Sequence, residues 1–432
     1  MRYSKKEFLK SIVLSILVIL SIYLYYKIYF DYKTEDIVKL ALAYKEEQSQ
    51  QQLLKKAKEI LVSPKEMYLN ISKNIALRIL SNQNEYLQVV SKFIEGIERG
   101  FVKREVEVST KNLNIDFFKS GRYLIFCYDY PVNLNVFLYE LTRRTTDKIP
   151  KGFEFDKIFI KEDSNATIVY FFNSQKQIAI LQKFDQFGFL PLERVIEKNL
   201  SIIYSWADGL GFTEIAKNDV LIPIEFSDIQ FSEIKIKDSS FKKEWIVRRL
   251  FPDTILTRKN ILKDGDIAIT DERKMLVFKN DRGFEFEYTE KTFGDRVDSV
   301  CDTLMFYLKT FYTDEDLRVF SLKTEKEGNF TIKLGLRTSG IDIASSDEEY
   351  CVEIEVKSGR IYRISGYIFD IIKVRTSQIK VEGIAAIDTL KERKGDIFIE
   401  DIDIEYVLGG ASSYPYWKIK TQNGVAFVET IK

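Results

Sequence analysis

Two tetrads have the spacing of a serine nucleophile activated by a lysine: Ser240-Phe241-Lys242-Lys243 and Ser377-Gln378-Ile379-Lys380. In such a pair the amine takes the hydroxyl proton ahead of acyl transfer. Enzymes built this way also carry S-D-N and K-T-G signatures, and neither tetrad comes with them. The chain holds no histidine, which removes the commonest general base, the commonest zinc ligand and the usual proton switch near neutral pH. Its three cysteines, Cys127, Cys301 and Cys351, are too few and too odd in number for a disulfide framework. Cys127 and Cys351 sit in strand-like runs and Cys301 on the apolar stripe of a helix, so all three read as buried, inert thiols. Carboxylates cluster at Asp314, Glu315 and Asp316, at Asp347, Glu348 and Glu349, and at Glu400, Asp401 and Asp403. A glycosidase needs two such groups roughly 5 to 9 Å apart in a cleft, one with a raised pKa. In EDIDIEY, however, alternation puts Ile402 and Ile404 on one face and Asp401 and Asp403 on the other, which predicts a strand with one solvated face. The same D-x-D lacks the Gly and terminal Glu of a calcium loop. DGLGF around Gly209 has Glu214 where a dinucleotide fingerprint needs its third glycine, and reads as a helix C-cap; no phosphate loop occurs. No constellation carries a reaction. No catalytic, cofactor-binding or metal-ligating residue is assigned, and the chain is expected to be non-enzymatic.

The elements that would position any site begin with SIVLSILVILSIYLYYKIYF, residues 11–30. Ser11 to Tyr26 carries no charge, and extension to Phe30 gives about 30 Å of helix, the thickness of a bilayer hydrocarbon core. Tyr23, Tyr25, Tyr26, Tyr29 and Phe30 gather at the far end as an interfacial belt. Bulky tyrosines where a signal peptidase wants small residues argue for retention of the segment. Arg2, Lys5, Lys6 and Lys10 precede it against Glu7 alone, so the positive-inside rule puts the N-terminus in the cytoplasm and everything after about residue 30 outside. The whole chain has 65 basic and 65 acidic residues; residues 1–30 hold five and one of these, leaving 60 against 64 beyond the span. That balance offers no electrostatic footprint for nucleic acid.

The fold class expected is α+β: an N-terminal transmembrane helix followed by three exported domains of mainly antiparallel sheet with packed helices. The boundaries expected are a cytoplasmic tail 1–10, a span 11–30, a helical juxtamembrane stalk 31–63 ending at Pro64, a first α+β domain 64–184, a second 185–291 and a third 292–432. In the first, NQNEYLQVVSKFIEGIERG predicts an amphipathic helix with Leu87, Val90, Ile94 and Ile97 on one face and Gly100 as its stop. Strand-like runs FVKREVEV, RYLIFCY, KIFIK, ATIVYFF and QIAIL follow, the later ones separated by turn residues DSNA and NSQK. The second begins with a helix near 191–206 and closes with DIAIT, KMLVFK and GFEFEYT. The third begins with the helical stripe Val297, Val300, Cys301, Leu304, Leu308 and Phe311, then a run of strands. The last two domains read alike, a helix and then a meander.

Several stretches together resemble the YycH family, accessory membrane proteins of the YycG/WalK sensor-kinase system. They are the opening KKEFLKSIVLSILVILSIYL, the proline-marked ILVSPKEMYL, the central IVRRLFPDTILTRKNILKDGDIAITDERKMLVF and the closing YPYWKIKTQNG, a Pro-x-Trp strand shared with the YycI-like domain. The stalk is longer than that pattern and the turn ITDERK lacks its glycine, as in a distant member. The resemblance implies a bitopic regulator in a cell membrane that binds a sensor histidine kinase and a YycI-like bitopic protein, modulates cell-wall-related two-component signalling, needs no cofactor and no nucleic acid, and is compatible with a dimer. Because lipid gives spans no hydrophobic reason to pair, pairing relies on small or polar residues; Ser11 and Ser15, four apart on one helical face, are the candidate interaction face. The competing reading is a structural or wall-polymer-binding envelope scaffold.

Overall fold

The computed structural model describes residues 14, 16–21, 23, 24 and 49–429, apart from 104–106, 146, 164, 190–191, 200–201, 254, 263, 281–282, 291–293, 312–315, 327, 346–350 and 409–412. The chain divides into two compact units, Met1–Lys55 and Lys56–Lys432. In the first, the described residues are helical; Leu14, Ile16, Leu17, Val18, Ile19, Leu20, Tyr23 and Leu24 are exposed, and Leu53 and Leu54 half-buried. No helix of the described residues is long and apolar enough to cross a membrane; much of 11–30, and all of 31–48, lies outside the description.

In the second unit the chain order is β1 (Glu66–Ser72), β2 (Ile75–Ile79), helix α1 (Asn84–Lys103), β3 (Glu107–Asn112), α2 (Asp116–Lys119), β4 (Tyr123–Asn133), α3 (Leu134–Thr142), β5 (Glu154–Glu162), β6 (Ala166–Asn173) and β7 (Ile178–Asp185). Then come α4 (Leu192–Asn199), β8 (Ile202–Trp206), β9 (Leu221–Asp238), α5 (Ser240–Leu250), β10 (Arg258–Ile261), β11 (Ile267–Thr270), β12 (Lys274–Phe278) and β13 (Gly283–Tyr288). The last part holds α6 (Val300–Thr310), β14 (Asp316–Lys326), β15 (Asn329–Thr338), β16 (Ile341–Ser345), β17 (Val352–Lys357), β18 (Arg360–Tyr367), β19 (Phe369–Val381), α7 (Gly383–Lys394), β20 (Ile399–Leu408), β21 (Pro415–Thr421) and β22 (Gly424–Glu429).

These strands build a ten-stranded sheet, ordered β19-β9-β8-β2-β1-β4-β5-β6-β7-β3, and a twelve-stranded sheet, ordered β10-β11-β12-β13-β18-β17-β15-β16-β20-β21-β22 with β14 paired to β15. Among the described strands, pairing is antiparallel except between β16 and β20. The α+β, mainly antiparallel character expected from short runs joined by turns is what the structure has. Sheet membership, however, crosses the expected boundaries at 184/185 and 291/292. β8 and β9 join the first sheet, and β19 pairs along nearly all of β9, from Phe369 opposite Asp238 to Val381 opposite Phe226. RIYRISGYIF, read as one strand, breaks at Ile368: β18 stays in the second sheet and β19 crosses to the first. A long strand, a helix and a meander thus occur twice, as β9-α5-β10–β13 and β19-α7-β20–β22, with the two long strands paired to each other.

Helix α1 runs three residues past Gly100, the predicted stop. The reason is packing: a Cβ at Gly96 would lie 2.2 Å from the Phe187 ring and one at Gly100 2.3 Å from the Phe184 ring. The glycines let two aromatics seat against the helix. Val90, Ile94 and Ile97 are buried as the periodicity predicts, joined by Val89, Phe93 and Phe101, whereas Leu87 is exposed. The predicted helix near 191–206 is shorter, because Trp206 closes strand β8 and is fully buried.

Candidate functional site

Several of the residues singled out for chemistry are held in structural contacts. Ser239, just ahead of the first tetrad, caps α5 by accepting from the Lys242 backbone N–H at 3.3 Å. The Lys242 amine donates to the Phe369 carbonyl at 3.0 Å and pairs with Asp370 at 3.2 Å. The second tetrad lies on β19, where nothing is described of the Ser377 and Lys380 side chains. Burial pushes the Cys301 and Cys127 thiols well above their ordinary range, and Cys351 is buried. Asp314, Glu315 and 347–349 lie outside the described residues, as do Ser11 and Ser15. Asp316 accepts a hydrogen bond from Ser81.

What the fold does assemble is a clamp on the segment 62–66, where the chain passes from a helical turn into β1. The stalk expected to end at Pro64 is already in the core before it: Ala57, Ile60, Leu61 and Val62 are buried. The Tyr128 hydroxyl donates to the Val62 carbonyl at 2.7 Å. Ser63 and Tyr86 share a hydroxyl contact of 2.5 Å. Arg337 on β15 grips the same turn from the second sheet. Its guanidinium donates to Ser63 Oγ at 3.2 Å, to the Tyr86 hydroxyl at 3.1 Å, to the Lys65 carbonyl at 3.1 Å and to the Pro64 carbonyl. The remaining Nε donates to Asp342 at 2.8 Å.

Asp342 also receives Arg318, whose Nε reaches both its carboxylate oxygens at 3.1 and 3.0 Å. The far edge of Arg318 forks onto Asp129 of β4 at 3.1 and 2.8 Å. Two guanidiniums and two carboxylates therefore bridge β4 of one sheet to β14–β16 of the other. Planar, charge-assisted forks of this kind are the strong form of hydrogen bond. Burial would raise the Asp342 carboxyl, but Arg318 and Arg337 hold it well below the usual range.

A second cluster lies beside it. Tyr68 pairs with Arg78 across β1 and β2, so Glu66, Tyr68 and Arg78 share one face, while Met67, Leu69 and Leu77 share the other. Arg78 donates to Asp403 on β20 and, at 2.9 Å, to the Tyr204 hydroxyl. Lys65 donates to Asp401 at 2.7 Å and lies 3.8 Å from Asp403. Lys418 donates to Glu405 at 3.1 Å. The predicted solvated face of EDIDIEY is thus corrected: Asp403 is 1% and Glu405 3% exposed, because β1 and β2 cover that face of β20. Burial pushes the Glu405 carboxyl up to about 7 despite Lys418 and Lys65. Burial, then the Asp403 charge, raises Glu66 well above the carboxylate range against the pull of Arg78.

The carboxylates here sit close together, as a hydrolase would need, but Arg78, Lys65 and Lys418 occupy them. A cavity of about 220 Å³ opens elsewhere on the α1 side of the first sheet, lined by apolar residues such as Leu69, Val89 and Val195 together with Arg122, Lys161 and Glu162. Among the described residues no three His, Cys, Asp or Glu side chains form a metal-holding group. The arrangement fixes the turn that leads into β1 and ties that turn to both sheets. Sequence reasoning missed Arg78, Arg318, Arg337, Asp342, Lys65 and Glu66. The available signal was a single Arg inside an apolar strand, as in IALRI, DLRVF and GLRTS, since a charge at an inward position needs a buried partner.

No family model and no curated protein sequence matches the chain. Among solved structures, the crystal structure of YycH from Bacillus subtilis matches with a TM-score of 0.58 at 13% identity, covering 85% of this chain and 96% of that one. The chain has a YycH-like fold over most of its length.

Proposed function

We propose that this chain is a non-enzymatic, bitopic membrane regulator that binds a sensor histidine kinase of the YycG/WalK kind, together with a YycI-like partner, and modulates two-component signalling of the cell envelope. The observation that carries this reading is the YycH-like fold over 85% of the chain. The sequence of residues 11–30 supports a span with the N-terminus inside, and the apolar helical residues between Leu14 and Leu24 expose their side chains as a lipid-facing helix would. Ser11 and Ser15 are the proposed contact face of that span.

A kinase held between two states needs only ~1.4 kcal/mol of differential contact for a tenfold shift in population. Within the Lys56–Lys432 unit, Val62 is held from the first sheet by Tyr128 and Ser63, Pro64 and Lys65 from the second by Arg337, so the entry to β1 is fixed to both sheets. The test is detergent co-purification with a membrane sensor kinase, coupled to kinase output in a strain whose residues 11–30 are replaced by a poly-Leu span. Loss of control with the exported unit intact is expected. Unchanged signalling, or capture of wall polymer with no kinase, overturns the reading in favour of an envelope scaffold.

A further inference from the structure

The segment 240–263 holds seven basic residues (Lys242, Lys243, Arg248, Arg249, Arg258, Lys259, Lys263) and two acidic ones (Glu244, Asp253), a net of +5 in a chain whose total is zero. It also holds, among the described residues of the Lys56–Lys432 unit, the four most exposed large apolar side chains: Ile255 at 91%, Ile261 at 76%, Leu256 at 60% and Phe241 at 58%. Within it, ILTRKNILK sets Ile255 and Leu256 ahead of Arg258 and Lys259, and Ile261 and Leu262 after them.

The fold places this run at a rim. β10 ends the twelve-stranded sheet and, among the described residues, pairs with β11 alone. All four of its residues are exposed. Among the described residues neither Arg258 nor Lys259 reaches a carboxylate. The nearby carboxylates accept backbone hydrogen bonds in turns: Asp253 from the Ile255 N–H at 2.9 Å, Asp266 from the Asn280 N–H at 2.9 Å, and Asp271, next to the Thr270 that faces Arg258, from the Arg273 N–H at 2.8 Å. Asp264 is the remaining carboxylate of the β10–β11 turn.

We propose that this rim inserts its aliphatic residues into an anionic lipid surface, with Arg258 and Lys259 at headgroup level. Burying apolar side chains at the acyl boundary while cations meet anionic headgroups is how interfacial segments bind membranes. The observations favour lipid over a protein strand added to the edge. β10 is four residues long and carries a lysine and an arginine, the devices by which natural sheets discourage edge pairing. The exposed apolar residues flanking Arg258 and Lys259 are Ile and Leu, without the Trp or Tyr that protein-binding hot spots favour. The proposal does not rest on the kinase reading.

The test uses the full chain reconstituted into vesicles of phosphatidylglycerol and phosphatidylcholine, or of phosphatidylcholine alone, with spin-labelled lipid as quencher. A fluorophore is placed in separate samples at Ile255→Cys, at Leu87→Cys on exposed α1 surface, and at Val18→Cys within the proposed anchor; unsubstituted chain gives the background from native thiols. At least fivefold more quenching at Ile255→Cys than at Leu87→Cys is expected with anionic lipid. It should fall to the Leu87→Cys level in neutral vesicles and in an Arg258→Glu/Lys259→Glu background. Equal quenching at positions 255 and 87 in anionic vesicles overturns the proposal, as does protection of the 255 label by polyglutamate without quenching, which marks an acidic protein partner. Absence of quenching at Val18→Cys counts against the anchor alone, because the 255 signal is read independently of it.

Discussion

At the scale of single residues, the seam is a set of charges that cannot be removed one at a time. Arg337 satisfies two carbonyls, two hydroxyls and Asp342, so truncating it strands several buried groups together. Breaking one side of a buried ion pair costs ~3–5 kcal/mol, and Arg337→Leu is expected to lose about that in urea unfolding, with Arg337→Lys failing to restore it because an ammonium cannot fork. Acidity gives two signatures of opposite sign. Asp342 has its carboxyl held low in the fold, so its stabilisation is complete above the ordinary value of 3.8 and is lost as pH falls toward the lower folded value. Glu405 is raised to about 7 from 4.5, so the folded chain keeps a proton that the unfolded chain releases. Its contribution therefore shrinks as pH rises from about 4.5 to about 7, by up to ~1.4 kcal/mol per pH unit. Glu405→Gln should flatten that stretch of a melting-temperature-against-pH curve; an unchanged slope would place the titration elsewhere.

Among the elements, α1 and β20 carry the lessons. Helix α1 was legible from its apolar period, but its true length was not, since Gly100 serves the Phe184 ring and not a cap. Overpacking a tight contact costs ~1–3 kcal/mol; Gly96→Ala and Gly100→Ala are each expected to lower stability in that range, and a pairing of Gly100→Ala with Phe184→Leu to recover part of it, as read by thermal melts. β20 showed the limit of alternation. Asp401, Asp403 and Glu405 recur every second residue as on a solvated face, yet two of the three are buried, because period alone does not report whether both faces of a sheet are covered.

In the whole molecule, the two sheets meet around the turn 62–66, which makes that turn the natural reporter of their association. Arg318→Ala should raise amide exchange in β4 of the first sheet and β15 of the second together; exchange confined to one sheet would show that the seam does not couple them. The sequence by itself determined the α+β class, most strands and hairpins, the apolar N-terminal segment and the YycH-like resemblance that the fold now bears out, because periodicity, turn chemistry and hydropathy are local properties of the chain. Only the tertiary structure decided that β19 leaves its neighbours to pair with β9, that three strands' lone arginines converge on carboxylates up to 325 residues away, and that a basic, aliphatic run ends at a sheet rim. Those are matters of which faces meet, and a buried charge is stable only beside a partner that the local sequence does not name.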